Sequence, residues 1–235
     1  MIEFEGFYPI GAFDNITFTS EIGKSVSNVL QLKGTITTYI EQIEEIIDQI
    51  NAIPKIKNLD NILICPDPTL IEENYYSKSF SCKVRFLEKT LITLTNNKDL
   101  ITVNSIINEM NKINRLRVIF THSSIKVFNK DLILLTNRTQ KNKDYINQTI
   151  IKINSNKITV NSYKMKIINN QQIIFCQDDD DLIYKTIREF NNINNLLSYL
   201  KEHHNRIKNL LDNISYQKKI KKANHYLISY DNKIN

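Results

Sequence analysis

Catalysis or metal capture needs titratable side chains that converge on one point, and in this chain they are few and scattered. There are four histidines, His122, His203, His204 and His225. His203 and His204 are neighbours in a stretch with helical spacing, so they point about 100° apart and cannot chelate as an i, i+4 pair would. His204 falls in an apolar column and reads as a polar register-setting residue. His122 has no visible partner. The run Asp178-Asp179-Asp180-Asp181 carries the oxygen ligands that a divalent cation takes. It stands where a helix is expected to begin, however, and there a carboxylate caps free N–H groups and is stabilised by the helix dipole. Capping is therefore the expectation.

Pro66-Asp67 is similar to the first half of a metal-dependent nuclease signature, but the acid-x-lysine triplet that would complete it occurs only as Asp231-Asn232-Lys233. Nucleophile-elbow, Walker, zinc-protease and dinucleotide fingerprints are missing. Cys65, Cys82 and Cys176 are widely spaced, odd in number and lack a C-x-x-C pair, which suggests buried structural thiols in a reducing compartment. The sequence thus predicts no catalytic residues, no metal and no cofactor, and a protein that is not an enzyme.

Binding chemistry has a better foothold. Residues 121–176 hold nine basic groups against two acidic ones, within a 235-residue chain of net charge +6. Lys126, Lys130, Arg138, Lys152, Lys164 and Lys166 could track phosphates, with nearby aromatic rings as stacking platforms. Exposed strand lysines also keep sheet edges from pairing, and only six of the basic residues are arginine. Nucleic-acid binding is therefore the alternative reading.

The elements that must carry these groups follow from periodicity. Ile, Asn and Lys number 40, 31 and 25, against three Ala, a bias that A+T-rich coding explains. Gly and Pro end at Pro68, which excludes a glycine-rich phosphate cradle downstream. Residues 1–19 read as an extended aromatic arm in which Phe4, Phe7, Tyr8, Phe13 and Phe18 need a docking surface. Residues 20–53 read as a coiled-coil-like helix. Its seam is Ile22, Val26, Val29, Ile36, Ile40, Ile43, Ile47 and Ile50, interrupted by Lys33 and ended by Pro54.

Residues 54–177 read as an α+β module. The alternation of Phe80, Cys82, Val84 and Phe86 predicts a strand, with Leu91–Leu94 as its partner and Leu100–Ile113 as a helix. From Leu116 to Gln177, short connectors predict antiparallel strands, the first at Leu116–Thr121. Residues 178–235 read as a second long helix and tail, with Phe190, Ile193, Leu197, Leu200, Ile207, Leu211 and Ile214 in its packing columns.

The expected class is α+β: a central antiparallel β-rich module flanked by two long heptad-patterned helices, with an extended N-terminal arm. Isoleucine at both seam positions favours a trimer over a dimer. The expected function is a non-enzymatic structural or adaptor subunit of a larger assembly such as a virus or phage particle. It would self-associate through its helices and bind other assembly subunits. With no basic leader and no apolar run of about 18 residues, neither secretion nor a membrane span is expected, and the location would be the cytoplasm or a virion.

Overall fold

The structure, a computed structural model, describes residues 8–9, 21–55, 74–95, 100–128, 131–139, 145–154, 156–168 and 171–234. The chain is a mixed α+β fold, mostly helical. Along it run β1 (Tyr8–Pro9), α1 (Glu21–Ala52), α2 (Phe80–Leu94) and α3 (Leu100–His122). Next come the strands β2 (Ser124–Phe128), β3 (Asp131–Thr139), β4 (Ile146–Asn154), β5 (Lys157–Ile168) and β6 (Gln171–Gln177). The helices α4 (Leu182–Arg188) and α5 (Ile193–Ile234) complete it. Phe4, Phe7, Phe13 and Phe18 of the expected arm lie outside the described residues, as do Cys65, Asp67 and Lys130.

By internal contacts the chain forms two compact units, one from residues 1–38 and 112–200 and the other from residues 39–111 and 201–235. The first is built on a six-stranded sheet in the order β1-β2-β3-β4-β5-β6, every neighbouring pair antiparallel. Residues paired across antiparallel strands share a face. Ile125, Leu134, Ile151 and Val160 thus form one cross-strand row, of which the first three are buried. The next row on that face is Thr136, Thr149 and Ser162, and the one beyond is Arg138, Asn147, Lys164 and Cys176. The face therefore grades from apolar to polar, and α4 packs beside it on β5.

In the same unit Lys33, the residue that interrupts the isoleucine seam of α1, donates from Nζ to the Ser123 carbonyl at 2.7 Å. Ser123 directly follows α3, whose last carbonyls carry the negative end of the helix dipole. The polar break in the seam is thus a cap for another helix. Burial holds the Lys33 ammonium below the usual lysine range.

The second unit is helical among the described residues. Ile40, Ile43, Ile47 and Ile50 of α1 are buried in it, together with Phe80, Val84, Leu87 and Leu91 of α2. Met110 of α3 and Ile207 of α5 are buried there too.

Three expected strands are helical instead. Phe80–Phe86 and Leu91–Leu94 both belong to α2, whose buried residues Phe80, Lys83, Val84, Leu87 and Leu91 recur every three to four positions. Ser79 caps its start, its side chain accepting from Cys82 N. The four-residue alternation satisfied both periods, and the longer spacing decides. Leu116–Thr121 continues α3, in which Leu116, Ile119 and Phe120 extend the helical spacing of Ile113. Among the described residues the sheet accordingly comprises only Tyr8–Pro9 and strands within Ser124–Gln177, while Phe80–Leu94 and Leu100–His122 are helical.

The expected single helix from Asp178 is also broken. Chain between α4 and α5 runs against β5: Ile158 N donates to Asn191 O at 3.1 Å, and Ile193 N donates to Asn156 O at 2.9 Å. Asn192 then caps α5, its side-chain oxygen accepting from Asn195 N at 2.8 Å. Competing side-chain and strand-edge partners at Asn191 and Asn192 stop the helix where apolar periodicity alone would have carried it through.

Candidate functional site

A buried cluster of ionisable groups lies in the second unit. Spacing along α1 places Glu44, Asp48 and Asn51 on one side of the helix, since residues three and four apart are neighbours. Lys83 of α2 enters between the acids, with Nζ 2.9 Å from Glu44 Oε1 and 2.8 Å from Asp48 Oδ2. Tyr75, in a short 3-10 turn at Tyr75–Ser77, donates from its hydroxyl to Asp48 Oδ1 at 2.8 Å. Asn51 Nδ2 donates to the Tyr75 hydroxyl at 2.8 Å and to the Lys83 carbonyl at 3.1 Å. Lys83 also lies over the Tyr75 ring, 5.4 Å from its centroid.

Every member except Glu44 is buried. Burial raises the Asp48 carboxyl above its ordinary value, against the opposing hydrogen bonds from Lys83 and Tyr75. Burial alone would lower the Lys83 ammonium, but hydrogen bonds and charge from Asp48 and Glu44 outweigh it and hold the group above the usual lysine range. Burial, reinforced by the Asp48 charge, pushes the Tyr75 phenol far above the usual tyrosine value. Apart from Asn51 Oδ1, which is buried without a hydrogen-bond partner, these polar atoms turn on one another, and the cluster ties α1, the 3-10 turn and α2 together.

An open feature lies elsewhere in the same unit. A groove of about 190 Å³ runs between α3 and α5. Its apolar walls are Ile106, Met110, Ile207 and Leu210, and its polar groups include Thr102, Glu109, His203 and Arg206. His203 Nε2 lies 3.5 Å from Glu109 Oε2, and Arg206 reaches Ser105 Oγ at 3.4 Å. As residue numbers fall along α3 they rise along α5, so the two helices are antiparallel here. His203 is the inward histidine, 7% exposed, whereas His204 is half-buried with its ring edge-on to Tyr39. The expected seam position of His204 is therefore off by one residue.

The aspartate run belongs to the first unit, at the polar end of the sheet. Asp181 caps α4, its Oδ1 accepting from Ile183 N at 2.9 Å and its Oδ2 from Ser162 Oγ at 2.8 Å. Asp178 receives Asn147 Nδ2 at 3.0 Å and lies 3.2 Å from Lys164 Nζ. Asp179 and Asp180 face solvent. Among the described residues, no group of three or more His, Cys, Asp or Glu side chains is placed to hold a metal ion.

The residues expected to form a phosphate-tracking surface divide between two faces. Register aligns Lys126 and Lys152 through Ile133, while Arg138 and Lys164 share the opposite face through Asn147. Lys166 is exposed two residues beyond Lys164, which is itself paired with Asp178. Lys130 lies outside the described residues.

Of the expected helix-packing residues, Val26, Val29, Ile36, Ile40, Ile43, Ile47 and Ile50 are buried within the single chain, as are Leu200 and Ile207. Ile22 lies in the first turn of α1. Ile193, Leu197, Leu211 and Ile214 are half-buried. Phe190 sits outside any helix, 5.1 Å from the Tyr199 ring, with Lys112 over both rings and paired with Glu189.

Lys83, Tyr75 and Glu109 were not singled out in the sequence. Lys83 had a readable signal, because it shares the helical spacing of Phe80, Val84 and Leu87. No helix among the described residues is long and apolar enough to cross a membrane. Comparison with known protein families, with curated proteins and with solved structures finds no match.

Proposed function

We propose that the protein is a non-enzymatic structural or adaptor subunit of a larger assembly. The observation that carries this reading is where the buried and half-buried charges go. Lys83 is spent on Glu44 and Asp48, Lys33 on the end of α3, Asp181 on the start of α4 and Asp178 on Asn147 and Lys164. Groups used to fasten segments to one another suit a rigid part better than a turnover site, which needs ionisable groups poised toward a substrate.

Self-association, if it uses helices, must use surfaces other than Ile36, Ile40, Ile43, Ile47 and Ile50 of α1, since these are already covered. Light scattering and native mass spectrometry of the purified chain test the proposal. A mass above one chain, or a stable co-purifying protein, supports it. A concentration-independent monomer that purifies alone counts against it.

The second reading, nucleic-acid binding, draws on the charge excess of residues 121–176 and on exposed Lys157 and Lys166. Phosphate contacts release counterions, so affinity for generic DNA or RNA would fall steeply with added salt. Absence of binding at low salt removes this reading.

A further inference from the structure

We infer that the α3–α5 groove of the second unit is a binding site for a small amphipathic carboxylate. The inference is independent of the assembly reading. The groove's volume, about 190 Å³, is below the roughly 300–1,000 Å³ of pockets for drug-sized molecules, so its ligand is small. Ile106, Met110, Ile207 and Leu210 supply an apolar wall on both helices, which suits an aliphatic chain or a single ring.

Charge selects the other end of the ligand. Glu109, the one acid lining the groove, is turned toward His203, its Oε2 3.5 Å from Nε2, and not toward Arg206. Arg206 has only the long 3.4 Å contact with the neutral Ser105 hydroxyl and no carboxylate partner among the described residues. A guanidinium presents a planar fork of donors that matches a carboxylate in two hydrogen bonds, and it stays charged at any working pH. An apolar wall beside an exposed guanidinium that has no carboxylate within ion-pair distance among the described residues favours an acid over an alcohol or an amine of the same length.

The probe is octanoate, with octanol and octylammonium as isosteric comparisons, titrated into the full-length protein while methyl resonances are followed by NMR. Saturable shifts confined to Ile106, Met110, Ile207 and Leu210, with a Kd on the order of 1 mM, are expected for a ligand of this size. Octylammonium should bind at least about tenfold more weakly, and Arg206→Gln should weaken octanoate about tenfold. Asn213→Phe, at an exposed position of the groove wall, should fill the groove and abolish the shifts while leaving the melting temperature unchanged. Three results would overturn the assignment: shifts that spread over the surface without saturating, equal affinity for the three probes, or octanoate binding that Arg206→Gln leaves intact.

Discussion

Replacing Lys83 by methionine tests whether the buried network of the second unit holds that unit together. The substitution keeps the length and most of the volume of the side chain while removing the cation between Glu44 and Asp48. At an effective dielectric near 20, each contact of 2.8–2.9 Å is worth about 6 kcal/mol of gross attraction, most of which offsets the desolvation of the same groups. What is lost on breaking such a buried pair is about 3–5 kcal/mol. A second route gives a similar figure. A stranded Asp48 can escape by taking up a proton, and because Asp48 already stands above its ordinary value near 3.9, this costs up to about 4 kcal/mol at pH 7.

Native proteins are stable by about 5–15 kcal/mol, so Lys83→Met should remove a large part of the total and lower the melting temperature by about 10 °C. The pH dependence has a definite sign. A carboxyl raised above its unfolded value contributes stability at low pH that is lost as pH rises through the raised value, and removing Lys83 raises Asp48 further. The deficit of Lys83→Met relative to the native protein should therefore be largest at pH 7 and shrink toward pH 4.

Urea denaturation followed by circular dichroism at the two pH values measures it, with exposed Lys89→Met as a control expected to cost under about 0.5 kcal/mol. The triple substitution Glu44→Gln, Asp48→Asn and Lys83→Met should recover at least about 2 kcal/mol, because no charge is left stranded. A Lys83→Met protein within about 1 kcal/mol of native at pH 7, or a deficit that does not change with pH, would refute the argument.

Further outcomes follow from single positions. Gly34 lies inside α1, and a Cβ added there meets nothing within 4 Å, so Gly34→Ala should stabilise by about 0.5–1 kcal/mol in the same denaturation assay. Lys83 and Tyr75 are both held above their ordinary values, so the stability they contribute is complete below about pH 10 and is lost as pH rises through the raised values. Thermal melts between pH 8 and 11 should show this fall, and Tyr75→Phe should flatten part of it. Asp181→Ala removes the cap of α4 and leaves the buried Ser162 hydroxyl without its acceptor, a loss of about 1–3 kcal/mol. Hydrogen exchange at Ile183 should accelerate in that variant, and unchanged protection there would show that the cap does not hold the helix end.

Long-range periodicity made α1 legible from the order of residues alone. A valine or isoleucine every three or four residues from Ile22 to Ile50, interrupted only by Lys33, has one low-energy solution, and Pro54 marks where it must stop. Strands β2 to β6 were legible for a related reason, since short polar connectors leave antiparallel neighbours as the only partners within reach. Short windows failed where two periods coincide: Phe80, Cys82, Val84 and Phe86 alternate like a strand, while Lys83 and Leu87 complete a helical face that only packing reveals. The break at Asn191–Asn192 was hidden for the opposite reason. Apolar spacing ran on through it, and the groups that end the helix belong to Asn156 and Ile158, more than thirty residues away.

The amino-acid order by itself thus determined where apolar faces lie and roughly where segments begin, because those depend on neighbours within a few turns. Tertiary structure alone decided which charges meet. Lys33 finds the end of α3, Lys83 finds Glu44 and Asp48, and Arg206 comes to line a groove without a carboxylate partner among the described residues, because distances between side chains far apart in the chain are set only when the segments pack.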